Sequence, residues 1–489
     1  MRFGLKVLIA GIGFLSFGFG FQGLKGTENA SQPGQAYARV RIGGLDLATI
    51  ETLKSGSGLN WWVEADRDLL VLAPIRVLKR LSNSFELTIL DVPVDESQLS
   101  IVRMDHFRGL DMLDAWVLLE TTRMTVIQAR GPLPSTIFHD HGAHPLIYTR
   151  LEPNSVLARE WRPPAGKRRI GPDPLIQALV NQIDPVGWLT DIYCLATYNR
   201  FTRGTEIREA EAWLVDRFES LPGLSVRTER FFVNSDEAFN VIAELPGDGS
   251  TDDIFIVGAH YDAISENSSL TAPGAEDNAS GTAAVLEIAR IFSHNPPPAR
   301  VIFACYSGEE QGLHGSRDQV NRLIASNELA DVKAALIMDM IGYSSDSDLD
   351  TLLETSSTWS DLSNTFAQAG AMYTNLRIVT SFNPFGSDHI PFIQNQTAAL
   401  LVIENDWNIY PSYHRSSDTP EKISVSQGHE DLKLTVATMA TLFGTEFSGN
   451  FGDYLAAWLD EPSPPATMDL TGNMKVDVGE LILVVNHDM

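Results

Sequence analysis

"APGAEDNASGTAAVLEIAR", residues 272–290, begins as a loop and ends as a helix. A helix start accepts an acid, because its free N–H groups and its dipole favour negative charge. Two acids, Glu276 and Asp277, stand here among Gly, Ala, Asn and Ser. One acid suffices for a cap. A second among small residues points to backbone that crowds around an ion held by one of the two.

The stretch lies between two strand-like runs, and the alternation continues from Leu175 to about Gly449. Strands are expected at 240–244, 254–257, 301–306, 334–338 and 399–403, and helices at 206–221, 281–293, 312–327, 360–369 and 430–447. Apolar runs alternating with amphipathic stretches imply an α/β fold with a mostly parallel twisted sheet flanked by helices. Such sheets bind ligands beyond the carboxyl ends of their strands. The acids and histidines at those ends are therefore the candidate site.

After "IFIV" comes "GAHYDA", with His260 and Asp262 alternating on an extended segment. Asp277 follows in the loop before a helix. "VIFACY" runs into "SGEEQGLHGS", where Glu309 and Glu310 are adjacent. Neighbouring carboxylates at a buried strand end repel each other and lose hydration, so a positive charge should compensate them. "AALIM" ends in Asp339, and "AALLVIEND" is followed by "YPSYHRSSDTP" with Tyr413 and His414. Nitrogen and carboxylate ligands suit zinc, and a shared carboxylate can hold two ions. Asp277, central in the order, is the expected bridge. His260 and Asp339 would complete one ion's set, and Glu310 and His414 the other's. Glu309 is left free to take a proton from activated water.

"GAHYD", "GAEDNASG", "YSGEEQGLHGS", "MDMIGY", "GSDHIPF" and "YHRSSDT" resemble, in order and spacing, the motifs of metallopeptidase family 28, the di-zinc aminopeptidases. The resemblance spans roughly 180–445, with "LATYNRFTRG" and "FNVIAELPG" similar to the family's lead-in. It implies a zinc exopeptidase fold, two Zn2+ ions per chain, peptide substrates and the ligand roles just given, with Glu309 as base. It also implies that Asp262 orients His260, and that Tyr413 helps polarise the scissile carbonyl. His389 and Asp388 of "GSDHIPF" are assigned to the pocket wall, and Glu404 and Asp406 are expected anchors for a substrate ammonium on charge grounds. A glutaminyl cyclase-like enzyme, which shares "DHIPF", and a non-catalytic binding module on the same scaffold are the alternatives. The adjacent glutamates and "DNASG" favour the peptidase over the first, and a complete ligand set favours it over the second.

Composition bounds the rest. A chain of 489 residues, 44% hydrophobic and 20% charged, is globular and larger than one ordinary domain. Its 36 Lys and Arg against 63 Asp and Glu give a formal net charge of −27, which repels nucleic acid and anionic membrane surfaces. Residues 1–38 read as a signal peptide or N-terminal anchor: Arg2 and Lys6 precede an apolar 7–21, and Ala36-Tyr37-Ala38 fits a cleavage site. Export to a periplasmic or extracellular location is expected, with no other membrane contact. The sequence leaves the oligomeric state open.

Residues 39–160 form a smaller strand-rich unit, with "DLLVLAP", "FELTILDV", "AWVLLE" and "MTVIQA" as strands, and 161–174 reads as a linker to the peptidase domain at 175–449. Cys194 and Cys305 are the only cysteines, and Cys305 reads as a buried free thiol. His139, His141 and His144 read as an exposed loop, His314 as helix surface or packing, and Trp61 and Trp62 as core. The acidic tail, 450–489, holds "DLTGNMKVDVGE", in which Asp469, Thr471, Asn473, Asp477 and Glu480 resemble half of a dockerin-type calcium loop. Met474 stands where that loop's sharp turn calls for Gly, so a solvated acidic terminus is the preferred reading.

Overall fold

The structure, a computed structural model, describes residues 34–444 except 57, 104–112, 122–123, 135, 140–141, 146–147 and 163–170. Residues 1–33 of the expected leader, most of the expected linker and the acidic tail with the residues that resemble a calcium loop lie outside the described residues, as do the side chains of His139, His141 and His144.

The N-terminal unit contains β1 (Gln35–Arg41), β2 (Trp61–Asp66), β3 (Asp68–Pro74), β4 (Leu87–Ile89), β5 (Leu99–Arg103) and β6 (Ala115–Glu120). It continues with β7 (Met124–Ala129), β8 (Thr136–His139), β9 (Gly142–Pro145), β10 (Tyr148–Arg150) and β11 (Ser155–Glu160), and holds two helices, α1 (Leu47–Gly56) and α2 (Ile75–Leu81). The histidine-rich stretch expected as a loop has the backbone of a β8–β9 hairpin. The expected boundary after Ala38 falls inside β1. Ala38 pairs with Val71 on one side and Ile89 on the other, and the buried Tyr37 donates its hydroxyl to Gln128 (3.0 Å). Cleavage there would unpair a strand that is hydrogen-bonded on both edges, so Gln35–Ala38 belong to the folded unit.

The second unit adds β12 (Ser225–Val233), β13 (Asp236–Leu245), β14 (Ile254–His260), β15 (Arg300–Tyr306), β16 (Val332–Met338), β17 (Asp350–Glu354), β18 (Arg377–Ser381) and β19 (Ala399–Glu404). Its helices are α3 (Pro174–Val180), α4 (Pro185–Leu195), α5 (Ile207–Glu219), α6 (Gly281–His294), α7 (His314–Ala325), α8 (Ser360–Tyr373), α9 (Ile390–Gln394) and α10 (Val425–Phe443). The sheet runs β12-β13-β15-β14-β16-β19-β17-β18, and β15, β14, β16 and β19 are parallel. From β14 the chain moves to β15 on one side and then to β16 on the other. Strand order thus reverses at β14, the position where open α/β sheets form their binding crevice. Side chains from α4, α5, α6, α8 and α10 cover one face around Trp188, Phe292 and Phe366, while α7 and α9 cover the other around Val320 and Phe392. Cys305 is buried on β15 and Cys194 half-buried on α4, and both are free. Among the described residues, no helix is long and apolar enough to cross a membrane.

The two units share the sheet but not a core. β11 pairs antiparallel with β18, placing Arg159 opposite Thr380 and Glu160 opposite Val379, so the sheet continues through β11, β2, β3, β1 and β4. Among the described residues, the apolar clusters of the N-terminal unit, around Tyr37, Leu72, Val126 and Val71, contain no residue of the second unit.

Candidate metal centre

Each expected ligand stands at the C-terminal end of a parallel strand or in the loop that follows. His260 closes β14, Asp339 follows β16, Glu309 and Glu310 follow β15, and Asp277 precedes α6. The loop "GAEDNASG" takes its shape from small residues. Gly274 has φ +49°, and a Cβ there would meet the Asp277 carbonyl at 2.3 Å; a Cβ on Gly281 would meet the Met338 carbonyl at 2.4 Å. Asn278 donates to that same carbonyl (3.0 Å) and accepts from the N–H groups of Gly281 (2.8 Å) and Met340 (3.2 Å), tying the start of α6 to the end of β16. The two acids of the loop part ways. Glu276 turns inward to accept from Gly342 N–H (2.8 Å), while Asp277 turns to the histidines.

Asp277 Oδ1 lies 3.3 Å from His260 Nε2, and Asp277 Oδ2 lies 2.9 Å from His414 Nε2. Each histidine has a second carboxylate: Asp339 Oδ1 is 3.3 Å from His260 Nε2, and Glu310 Oε2 is 3.1 Å from His414 Nε2. Two ligand atoms bound ~2.0–2.1 Å from a tetrahedral ion stand roughly 3.3 Å apart. The side chains therefore fit two nitrogen–carboxylate positions that share Asp277. Glu309 has an oxygen within 4.8 Å of the ligand atoms of His260 and Asp339, beside the first position.

The charges of the chain do not balance at this centre. Burial pushes Glu309 well above the ordinary carboxyl range, with His260 pulling back and Glu310 pushing further, and burial raises Glu310 to about 7. Asp277, despite its burial, is held well below the ordinary range by hydrogen bonds from His260 and His414. Burial disfavours both imidazolium ions, but Asp339 and Glu309 around His260, and Glu310 and Asp277 around His414, more than offset it. Acids that outnumber their buried cations in this way suit a site completed by metal ions.

Neighbouring groups fix the ligands in place. Thr282 donates to the His260 carbonyl (2.7 Å), and His260 Nδ1 faces the Asp262 carbonyl oxygen at 3.1 Å and its carboxylate at 3.7 Å. The Asp262 carboxylate accepts from Thr202 (2.7 Å) and from Glu309 N–H (3.2 Å), so it holds the backbone of the expected base as well. Tyr413 lines the cavity with its ring 4.0 Å from that of His414.

Three further residues were not singled out from the sequence. Asp418 accepts from the N–H groups of Glu276 and Asp277 (both 3.0 Å) and from the Tyr410 hydroxyl (2.7 Å). Ser387 donates to Asp339 Oδ2 (2.7 Å). Arg200, fully buried, donates to the carbonyls of Tyr261, Leu195, Pro273 and Gly274, and burial lowers its guanidinium to about 10. All three lie inside quoted motifs, "RSSDT", "GSDH" and "YNRF", which was the available signal.

Other expectations move. Glu404 and Asp406 do not line the cavity: Glu404 is buried and accepts from Asp406 N–H, and Asp406 accepts from Ser345 (2.8 Å). Asp388 and His389 lie fully buried behind the wall, which Phe385, Gly386 and Ser387 form. The cavity, about 410 Å³, is lined among the described residues by one acid besides the ligands and Glu309, namely Glu354.

An open α/β sheet with two His–carboxylate positions that share Asp277 at its switch point is the arrangement a two-metal hydrolase uses. Residues 240–438 match the model of peptidase family M28. The chain is 32% identical over 201 residues to a probable zinc metalloprotease of Pyricularia oryzae, an alignment covering 36% of this chain and 39% of that one. It is 28% identical over 283 residues to a probable leucine aminopeptidase of Arthroderma otae, covering 55% of this chain and 75% of the relative. The chain thus spans only about two fifths of the first relative's length. Among solved structures, LapB from Legionella pneumophila superposes with a TM-score of 0.51 at 18% identity, covering 83% of this chain and 99% of that one, a likeness of fold.

Proposed function

We propose that this chain is an exported di-zinc aminopeptidase that removes residues from the free amino ends of peptides. The observation that carries the reading is Asp277, whose two carboxylate oxygens face two different histidines, each with a second carboxylate at 3.1–3.3 Å. His260, Asp339 and Asp277 would hold one zinc, and Glu310, His414 and Asp277 the other. When bound, the pair supplies Lewis acidity that polarises the scissile carbonyl and acidifies a water. Glu309 takes the proton of the attacking water and returns it to the leaving nitrogen. Asp262 keeps Glu309 in place through its backbone N–H, and Tyr413 bounds the carbonyl side of the cavity. Glu354, which lines the cavity and accepts from Phe385 N–H (2.6 Å), would give a free α-ammonium a counter-charge, which supports cleavage at an amino end over cleavage within a chain. Export is supported by the basic and apolar leader and is checked by fractionating the native cell.

The test is hydrolysis of aminoacyl fluorogenic substrates, matched against the same peptides acetylated at the amino end. Release confined to the free amine, abolished by a chelator and restored by zinc, supports the reading. Equal cleavage of acetylated peptides, or ring closure of an amino-terminal glutamine without release of an amino acid, overturns it.

A further inference from the structure

The cavity lining has two unlike parts: the ligand side chains, and a largely apolar wall from β17, β19 and a residue from outside the matched family region. Leu352 pairs with Ile403 and Glu354 with Leu401 across the antiparallel β17–β19 ladder, so these four side chains stand on one face of the sheet and line the cavity together. Phe385 lines it from the loop after β18, and Met124 from the first position of β7. Among the described residues, Met124 is the one lining residue supplied by the N-terminal unit. It is 5% exposed and packs in the same apolar cluster as Leu99, Ile101 and Val126. Its backbone is anchored where β6 gives way to β7: the Thr121 hydroxyl accepts from Met124 N–H (3.2 Å) and donates to the Met124 carbonyl (3.1 Å).

We propose that Met124 determines specificity: it is the end wall of the pocket that receives the substrate's amino-terminal side chain, so the N-terminal unit sets which residues are removed. The inference rests on the aminopeptidase reading above. An acid beside an apolar wall suits a substrate whose ammonium and side chain leave the same carbon. Leu, Ile and Met walls favour an aliphatic side chain, and a flexible thioether stem fits unbranched and γ-branched chains alike. The β11–β18 seam gives the wall its rigidity, because it continues the sheet of the peptidase unit into the unit that carries Met124.

The experiment compares kcat/KM on Ala, Leu, Met and Phe aminoacyl substrates for the full chain and three variants, Met124→Ala, Met124→Phe and Met124→Leu, with zinc content measured on each. Met124→Ala removes the wall, so kcat/KM for Leu and Met should fall roughly 10-fold while Ala stays within about 2-fold and Phe gains. Met124→Phe shortens the pocket and should cut Leu, Met and Phe while sparing Ala. Met124→Leu keeps the volume and should keep the profile, which separates loss of the wall from loss of the N-terminal core. If the unsubstituted chain is active but Met124→Phe and Met124→Ala both keep its ratios of Leu to Ala and of Phe to Ala, the inference falls and the aminopeptidase reading stands. If the zinc-loaded unsubstituted chain releases no amino acid from any of the four, the reading falls and takes the inference with it.

Discussion

Replacing Glu309 by Gln separates base from ligand at the place where the geometry brings the two roles closest. The Glu309 oxygen lies within 4.8 Å of ligand atoms of both His260 and Asp339, near enough to serve the reaction or to enter the coordination set. Gln preserves the volume. It also leaves untouched the anchoring bond, which runs from the Glu309 backbone N–H to Asp262 Oδ1 (3.2 Å). What disappears is the basic oxygen, so zinc should stay at its original content while kcat falls by about 10²–10⁴, the usual contribution of general acid–base catalysis and roughly 3–5.5 kcal/mol of barrier. Glu310→Gln is the opposite case. Its Oε2 is 3.1 Å from His414 Nε2 and its Oε1 accepts from Ile264 N–H (3.2 Å), so the change removes charge from a ligand position and zinc should drop toward one ion per chain. The assay is steady-state hydrolysis of a leucyl substrate with zinc determined by mass spectrometry on the same samples. Near-normal turnover of a zinc-replete Glu309→Gln protein, or loss of zinc from it while Glu310→Gln keeps two, would refute the assignment.

Asp277→Ala should lower zinc content more than Asp339→Ala, because one side chain serves both positions; two full equivalents in Asp277→Ala would remove the bridge. Ser387→Ala frees Asp339 Oδ2 from its 2.7 Å hydrogen bond and should weaken zinc affinity by roughly 10–100-fold, read by competition with a chelating dye; an unchanged affinity would show that Asp339 needs no orienting partner. Asp431, on α10 and away from the centre, is buried between Thr351 and Gln427, and burial pushes it up to about 8. Its folded value thus lies above its unfolded value near 4, so the folded chain holds a proton that the unfolded chain releases between about pH 4 and pH 8. The stability it contributes is complete below that window and lost as pH rises through it. Asp431→Asn should therefore raise Tm by roughly 4–8 °C at pH 9 and leave it within about 2 °C at pH 4, by thermal unfolding; an equal shift at both pH values would mean the proton is not the cause.

The parallel strands β14, β15, β16 and β19 were legible because both faces are covered, which makes each a continuous apolar run. β12 escaped the same reading because "SVRTERFFV" lies at the edge of the sheet and alternates charged, exposed residues with apolar ones. β17 and β18 are five residues each, too short for periodicity to separate from loop. The residues proposed as ligands were marked out by residue type and by their places at or after strand ends, and the structure brings their side chains together. Arg200 and Asp418 were not: a buried guanidinium that spends its donors on four carbonyls looks, in a sequence, like any surface arginine. Glu404 and Asp406 failed in the reverse sense, since charge gives no direction: Glu404 alternates with the cavity-lining Ile403 at the end of β19, and Asp406 accepts from Ser345 instead.

The paired acids of "GAEDNASG" show why the sequence needs both. Asp277 can bridge only if its backbone is fixed while its two oxygens stay free, and the adjacent residues provide this. Asp418 takes the N–H groups on either side of the Glu276–Asp277 bond, and Arg200 holds the carbonyls of Pro273 and Gly274 upstream. Glu276 closes the other side by accepting from Gly342, three residues beyond Asp339. The loops that carry Asp277 and Asp339 are thereby joined through a carboxylate that touches neither histidine, and His260 stands between them at 3.3 Å from each ligand oxygen. A cap would have needed one acid. A bridge needs a second to hold its neighbour's loop, and small residues so that the chain can come close enough for both.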